Sequence, residues 1–336
     1  MKGYLKFENP IYITETASVA GKMEKEGPLS EFFDLSDKTN LFGMKTWEEA
    51  ESEMQRLAFN TVIGKAKLSP EDVDIAFSGD LMNQCVGGSY SFATQPVNYV
   101  GIYGACSTFP LGLALASVFV DSGFAERAVA VTSSHYCSAE RQFRTPLEYG
   151  SQRTPTSQWT VTGAGAAILS SVETSDIYVS DAYLGRIIDK GISDANNMGA
   201  AMAPAAADTI ISYLESSGMS LSDFDGVFTG DLGMEGRSIL RDIMKAEGYL
   251  LDSQYNDCGC IIYDTEVQDV HAGASGCASS ACTFCAYIYR LMKQRKLKNI
   301  LLIGTGALMS PQFLMQGKSI PAVAHLVHIC SKEVRK

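Results

Sequence analysis

Cys106 is the residue of this chain whose setting most suggests chemistry. It lies in Gly104-Ala105-Cys106-Ser107-Thr108, between an apolar strand and an apolar helical run that reaches about Ser122. At a helix start, the aligned amide dipoles favour a thiolate and lower the thiol pKa. A strand-to-helix turn also projects its side chain at the carboxyl edge of a sheet, where α/β proteins bind ligands. The competing reading is a small buried thiol filling the turn. Cys277, in Ser275-Gly276-Cys277, holds the matching place later in the chain but lacks inserted loops around it, so a core role is expected. Cys282-Thr283-Phe284-Cys285 has the spacing of half a zinc site. It lies inside the apolar run Ala278 to Met292 with no second pair, so it reads as core thiols.

The elements around both cysteines repeat. Leu68 to Leu81 and Leu221 to Leu232 each carry a Ser-started acidic turn, a short apolar strand and then Gly-Asp-Leu. Downstream, the Cys106 helix leads through Gly123–Arg127 to the strand Ala128–Thr132. The Cys277 helix, running to about Lys293, leads through Lys296–Asn299 to Ile300–Gly304. Continuous apolar strands alternating with helices indicate parallel βαβ units covered on both faces. Both cysteine helices are apolar nearly all round, which marks helices buried on every side. The expected fold is therefore a layered α/β/α/β/α arrangement of two duplicated halves rather than two separate doubly wound domains. Residues 1–175 form the N-terminal half with inserted pocket loops, and 176–336 form the C-terminal half. Between the repeats, about Ser133 to Asp208, come a helix over Ala139–Arg144 stopped before Pro146, a strand over Thr160–Ser170, and a helix from about Ala205 to Ser217 closed by Gly218.

The chain has 336 residues, 46% hydrophobic and 19% charged, enough for a substantial core. Its net charge of -11 repels phosphate backbones and anionic lipid, so nucleic acid is not an expected partner. No signal core opens the chain, and its longest apolar stretch, Leu111 to Val120, is about half of the roughly 20 residues that span a bilayer. Nine scattered cysteines, an odd number, fit reduced thiols. A soluble intracellular protein is expected.

The Cys106 string, the duplicated halves and Gly273-Ala274-Ser275-Gly276 resemble the thiolase and ketoacyl synthase superfamily. Longer strings resemble one family within it, the stage V sporulation protein AD family of spore-forming bacteria. They include Ser133-Ser134-His135 with Ala139 to Arg144, Pro146 to Gly150, Met198 to Thr209, Asn256 to Gly259, Gly304 to Leu308, and Ile320-Pro321 with Ala324-His325. The similarity runs from about Asn9 to Ile329. It implies a thiolase-like fold that binds dipicolinic acid or its calcium chelate, without a cofactor. It further implies work with membrane proteins of the same transport complex during sporulation and germination. By analogy the protein is a homodimer, held peripherally at the spore inner membrane by protein contacts.

Condensing enzymes of the superfamily pair the thiolate with a histidine just after the strand matching Gly226–Thr229 and an Asn or His before the second helix. Here those places hold Gly230-Asp231-Leu232 and Gly273-Ala274-Ser275, with His271 slightly out of step. Proton transfer and enolate stabilisation need such groups. The resemblance therefore implies a non-catalytic binding protein. The alternatives are a ketoacyl synthase III or thiolase-type acyltransferase using Cys106, and an inert scaffold. A dipicolinate pocket needs donors at both ends of a flat ring. Arg141 and Arg144 share a helix face and could fork a carboxylate, or could form structural salt bridges with Glu140, Glu148 or a partner subunit. Amides at the Cys106 helix start could take the other end. Thr108, His135 and His325 complete the candidate ligand set, with Phe143, Tyr149 or Trp159 over the ring. Asp80 and Asp231 are expected to cap loops, and His328 to be structural.

Overall fold

The computed structural model describes residues 2–143 and 153–332. Arg144 and Tyr149 lie outside them. Ten main strands, β1 (Tyr4–Ala20), β2 (Ile75–Gly79), β3 (Asn98–Gly101), β4 (Arg127–Ser134), β5 (Gly163–Ser170), β6 (Ile177–Leu184), β7 (Gly226–Thr229), β8 (Tyr255–Asp257), β9 (Asn299–Ala307) and β10 (Ala322–Ser331), join in one sheet. Their order is β8-β7-β9-β10-β6-β1-β5-β4-β2-β3. Read outward from its centre, each side has the same pattern: two antiparallel pairings, then two parallel ones. The repeat seen in the sequence is thus a repeat of topology. The sides are joined because β1 pairs with β5 through its C-terminal part and with β6 through its N-terminal part.

The main helices follow the same repeat: α1 (Trp47–Ala66), α2 (Val86–Phe92), α3 (Thr108–Asp121), α4 (Tyr136–Phe143), α5 (Met198–Ser217), α6 (Gly233–Ala246) and α7. α7 begins at Cys277–Thr283, passes through a π turn at Phe284–Ile288 and ends at Tyr289–Lys293. α3 and α7 lie between the half-sheets. Phe109, Leu113, Ala281 and Phe284 pack there with Ala130, Leu169, Val327 and Ile329. α1 covers the outer face of the first half-sheet, and α5 with α6 the outer face of the second. These are the five layers expected from two apolar-all-round helices.

Local sequence explains the framing. Thr46 and Glu49 form a capping box that starts α1, and Lys67 closes it with φ 56°. Asp74 and Asp225, equivalent in the two repeats, each accept two backbone N–H groups at the start of β4 and β9, at 2.8–3.1 Å. The π turn in α7 exposes the Cys285 carbonyl, which accepts the Thr16 hydroxyl at 3.1 Å and ties α7 to β1. Cys282 and Cys285 are core thiols, facing the Val19 and Ala166 carbonyls at 3.5 Å.

Two expected boundaries move. α5 starts at Met198 rather than Ala205, because Asn197 caps the Ala200 N–H at 3.1 Å and Pro204 is carried inside the helix. β5 starts at Gly163. Trp159–Thr160 instead pairs with Ala274–Ser275 in a separate two-stranded ladder. α5 and α6 touch at Gly199 and Gly236, where a Cβ on Gly199 would meet the Leu232 carbonyl oxygen at 2.5 Å and the Gly236 nitrogen at 2.7 Å. Gly199→Ala should therefore lower stability by about 1–3 kcal/mol as overpacking against backbone. Urea denaturation measures this, and a wild-type midpoint would contradict so close a contact.

Candidate functional site

Cys106 sits in the turn before α3. Ala105 precedes it with φ 49°, a left-handed conformation that costs a non-glycine residue about 1–2 kcal/mol. The strain turns Cys106 inward, where its sulfur faces the Asp231 carboxylate from the other half of the chain. β9 backs this turn, and a Cβ on Gly306 would lie 2.2 Å from the Gly104 carbonyl oxygen.

Asp231 is held from three sides. The Thr305 hydroxyl donates to Oδ1 at 2.8 Å, the Gly276 amide donates to Oδ2 at 2.9 Å, and the Cys106 thiol completes the set. Its repeat equivalent, Asp80, accepts the Met82 and Gly88 amides at 2.8 and 2.9 Å. Loop capping thus describes Asp80. Asp231 likewise caps the loop through the Gly276 amide, but it also faces the thiol, in the place where condensing enzymes keep an imidazole. The sequence signal was its position after β7; its twin's role as a cap obscured it.

Burial sets the protonation of this centre. It raises Asp231 to about 7. Burial, and then the charge of Asp231, push the Cys106 thiol well above its usual range. The thiolate expected from the helix dipole is corrected accordingly: desolvation and an adjacent carboxylate outweigh a half-charge at the helix end. Cys277 is fully buried, beside Cys106, and its thiol donates to the Ser133 carbonyl at 2.9 Å. Burial also raises Asp257 to about 6; it accepts the Leu232 and Gly233 amides and so holds the loop carrying Asp231.

A cavity of about 60 Å³ opens beside Cys106. Leu81, Ala139, Phe143, Met198, Met202 and Met309 form most of its wall, and Tyr103, Glu140, Thr160 and Ser275 supply polar atoms. No arginine, lysine or histidine is among these described lining residues. Tyr103, the start of α5 and the short ladder carrying Thr160 and Ser275 were not anticipated.

The structure does not gather the expected ligand set here. Arg141 points the other way, paired with Glu48 and lying over the Trp47 ring at 5.2 Å. The structural ion pair weighed from the sequence is present, with a different partner. Thr108 spends its hydroxyl on its own turn, donating to the Ala105 carbonyl at 2.6 Å and accepting the Gly104 amide at 3.0 Å. The Ser107 and Thr108 amides bond Gly104 and Ala105, and Pro110 has no N–H, so the helix start offers fewer donors than expected. His135 is a satisfied buried histidine, with Nε2 against the Asn40 carbonyl at 2.9 Å and Nδ1 accepting the Cys137 amide at 3.1 Å. His325 pairs across β10 with Gly304 and Leu184; burial lowers it to about 4, and its Nδ1 has no partner. His271 pairs with Asp269 at 3.1 Å. Phe143 does line the cavity, whereas Trp159 stacks on Tyr136 at 3.8 Å.

Comparison with solved structures gives the class. The fold matches 3-oxoacyl-(acyl carrier protein) synthase III of Xanthomonas oryzae (TM-score 0.62, 15% identity, covering 97% of this chain and 100% of that one). It also matches Xanthomonas campestris OleA (TM-score 0.61, 13% identity, 97% and 99% covered). The chain has a thiolase-like fold. Within that class it belongs to the stage V sporulation protein AD family, whose model matches residues 2–330. It is 42% identical over 319 residues to stage V sporulation protein AD of Bacillus subtilis strain 168, covering 95% of this chain and 94% of that protein.

The buried carboxyl group predicts a pH effect. Between about pH 4 and 7, folded Asp231 keeps a proton that an unfolded aspartate has released, so its contribution to stability falls as pH rises through that window. Asp231→Asn should flatten the pH dependence of the urea midpoint there. An unchanged slope would show that Asp231 does not titrate in the folded chain.

Proposed function

We propose that this chain is a binding component of the dipicolinate transport system of sporulation and germination, not a condensing enzyme. One observation carries the reading: the Cys106 thiol faces a carboxylate that must itself be deprotonated at cost, where Claisen chemistry needs an imidazole. Losing a positioned general acid–base typically removes a factor of about 10² to 10⁴. The acyltransferase alternative would require Cys106 to ionise beside Asp231, against burial and a neighbouring carboxylate.

The ligand class follows from the family. The flat ring of dipicolinate, as the free acid or its calcium chelate, suits the Leu81, Phe143 and methionine surfaces beside Cys106. No helix among the described residues is long and apolar enough to cross a membrane. With a net charge of -11, attachment at the spore inner membrane would rest on protein partners of the transport complex rather than anionic lipid, with the chain acting as a homodimer.

Thermal denaturation tests this. Dipicolinate or its calcium chelate should raise the melting temperature by a few degrees at concentrations about 100-fold above Kd, while calcium alone and acetyl-CoA should not. Ala139→Trp, which fills the cavity, should abolish the shift. No shift with either form, or an acetyl mass on Cys106 after incubation with acetyl-CoA, would overturn the reading.

A further inference from the structure

A sulfur–imidazole–carboxylate arrangement lies at the opposite edge of the second half-sheet. Thr305, which holds Asp231, is near the end of β9, whereas Cys330 pairs with Asn299 at its start. Cys330 and His328 are two apart on β10 and so share a face. Cys330 Sγ lies 3.2 Å from His328 Nε2, and His328 Nδ1 lies 2.9 Å from Oδ2 of buried Asp181 on β6. Cys330 itself is partly exposed.

The hydrogen bonds define the state of the ring. Asn299 donates through Nδ2 to the Asp223 carbonyl at 2.6 Å, which leaves its Oδ1, an acceptor, facing His328 Nε2 and, at 3.3 Å, the Cys330 thiol. Asp181 is an acceptor at Nδ1. Both ring nitrogens therefore carry protons, and His328 is an imidazolium. Burial pulls its pKa down, but the bonds to Asp181 and Cys330 more than restore it, to about 9. Rings of Phe224 and Tyr213 pack on it at 5.3 and 6.2 Å. The other groups facing this cluster are the Tyr178 hydroxyl, bonded to the Cys330 thiol, and Lys332, bonded to Tyr12 and Glu173.

We propose that Cys330 is the reactive cysteine of this chain, a site of reversible mixed-disulfide formation with small disulfides, its partly exposed sulfur set against the His328–Asp181 pair. In the step, the Cys330 thiolate attacks one sulfur of a disulfide RS–SR. The Cys330–SR bond forms, the RS–SR bond breaks, and RS⁻ leaves to take a proton from water. A thiol reverses it. The competing thiols lack this support. Cys106 and Cys277 are buried close to carboxylates. Cys137 and Cys260 are as accessible in class as Cys330, but burial and then Glu140 or Asp257 raise them, Cys260 to about 12.

Limiting iodoacetamide on the whole folded chain, mapped by peptide mass, tests the assignment. Cys330 should label at least about tenfold faster than Cys137 and Cys260 at about pH 7. Oxidised glutathione should leave its adduct at Cys330, removable by dithiothreitol. His328→Gln should slow Cys330 labelling about tenfold. If that variant does not fold, the labelling order in the wild-type chain decides. Equal labelling of Cys137 or Cys260, or a folded His328→Gln protein that labels at the wild-type rate, would each overturn it.

Discussion

Two helices buried over most of their length organise this molecule. α3 and α7 fill the space between the half-sheets, and the start of each brings a cysteine to the same buried centre. A helix so enclosed must be apolar on every side and must end where a turn can return the chain to a strand. That requirement places the strained Ala105 turn, the close approach of Gly306 and the contact of Cys106 with Asp231 at one point.

The chemistry of that point follows from which polar groups accompany the sulfur into the core. A neutral imidazole is tolerated in a low-dielectric site and still has a lone pair to accept a proton; a carboxyl group is tolerated there in its protonated form, which is no longer a base. With Asp231 in the imidazole's place, the lowest-energy arrangement is a neutral thiol donating to oxygen, a good wall and a poor nucleophile. The contrast with Cys330 is one of partners rather than of residue type. The same side chain at Cys330 is partly exposed and lies against an imidazole rather than a carboxylate.

The layered fold was legible in the sequence because duplication and continuous apolar runs are properties of whole segments. The equivalence of Asp74 with Asp225, and of the two cysteine turns, survives in the structure as repeated hydrogen bonding. The site was legible only in part. Cys106 and Phe143 are where their positions suggested. Arg141 finds Glu48, a partner on a distant helix that no local spacing reveals. Thr108 and His135 carry polar groups that their own neighbourhoods consume. α5 began earlier than expected because the Asn197 cap outweighs a proline that the tertiary packing accommodates. Asp231 could have been found by asking what replaces the missing histidine, but its twin Asp80 caps a loop, and symmetry of sequence suggested symmetry of role.

The first strand has a consequence for how the chain is made. β1 leaves the ribosome before every other strand, yet its partners on both edges, β5 and β6, begin at Gly163 and Ile177. Until those strands have emerged, a 17-residue apolar-rich ribbon has neither of these neighbours, and closing so long a loop is slow. Assembly is thus gated by the arrival of residues 163–184. Nascent chains that pause before it would present a bare ribbon edge to one another, which makes the opening segment the natural place for a chaperone to hold.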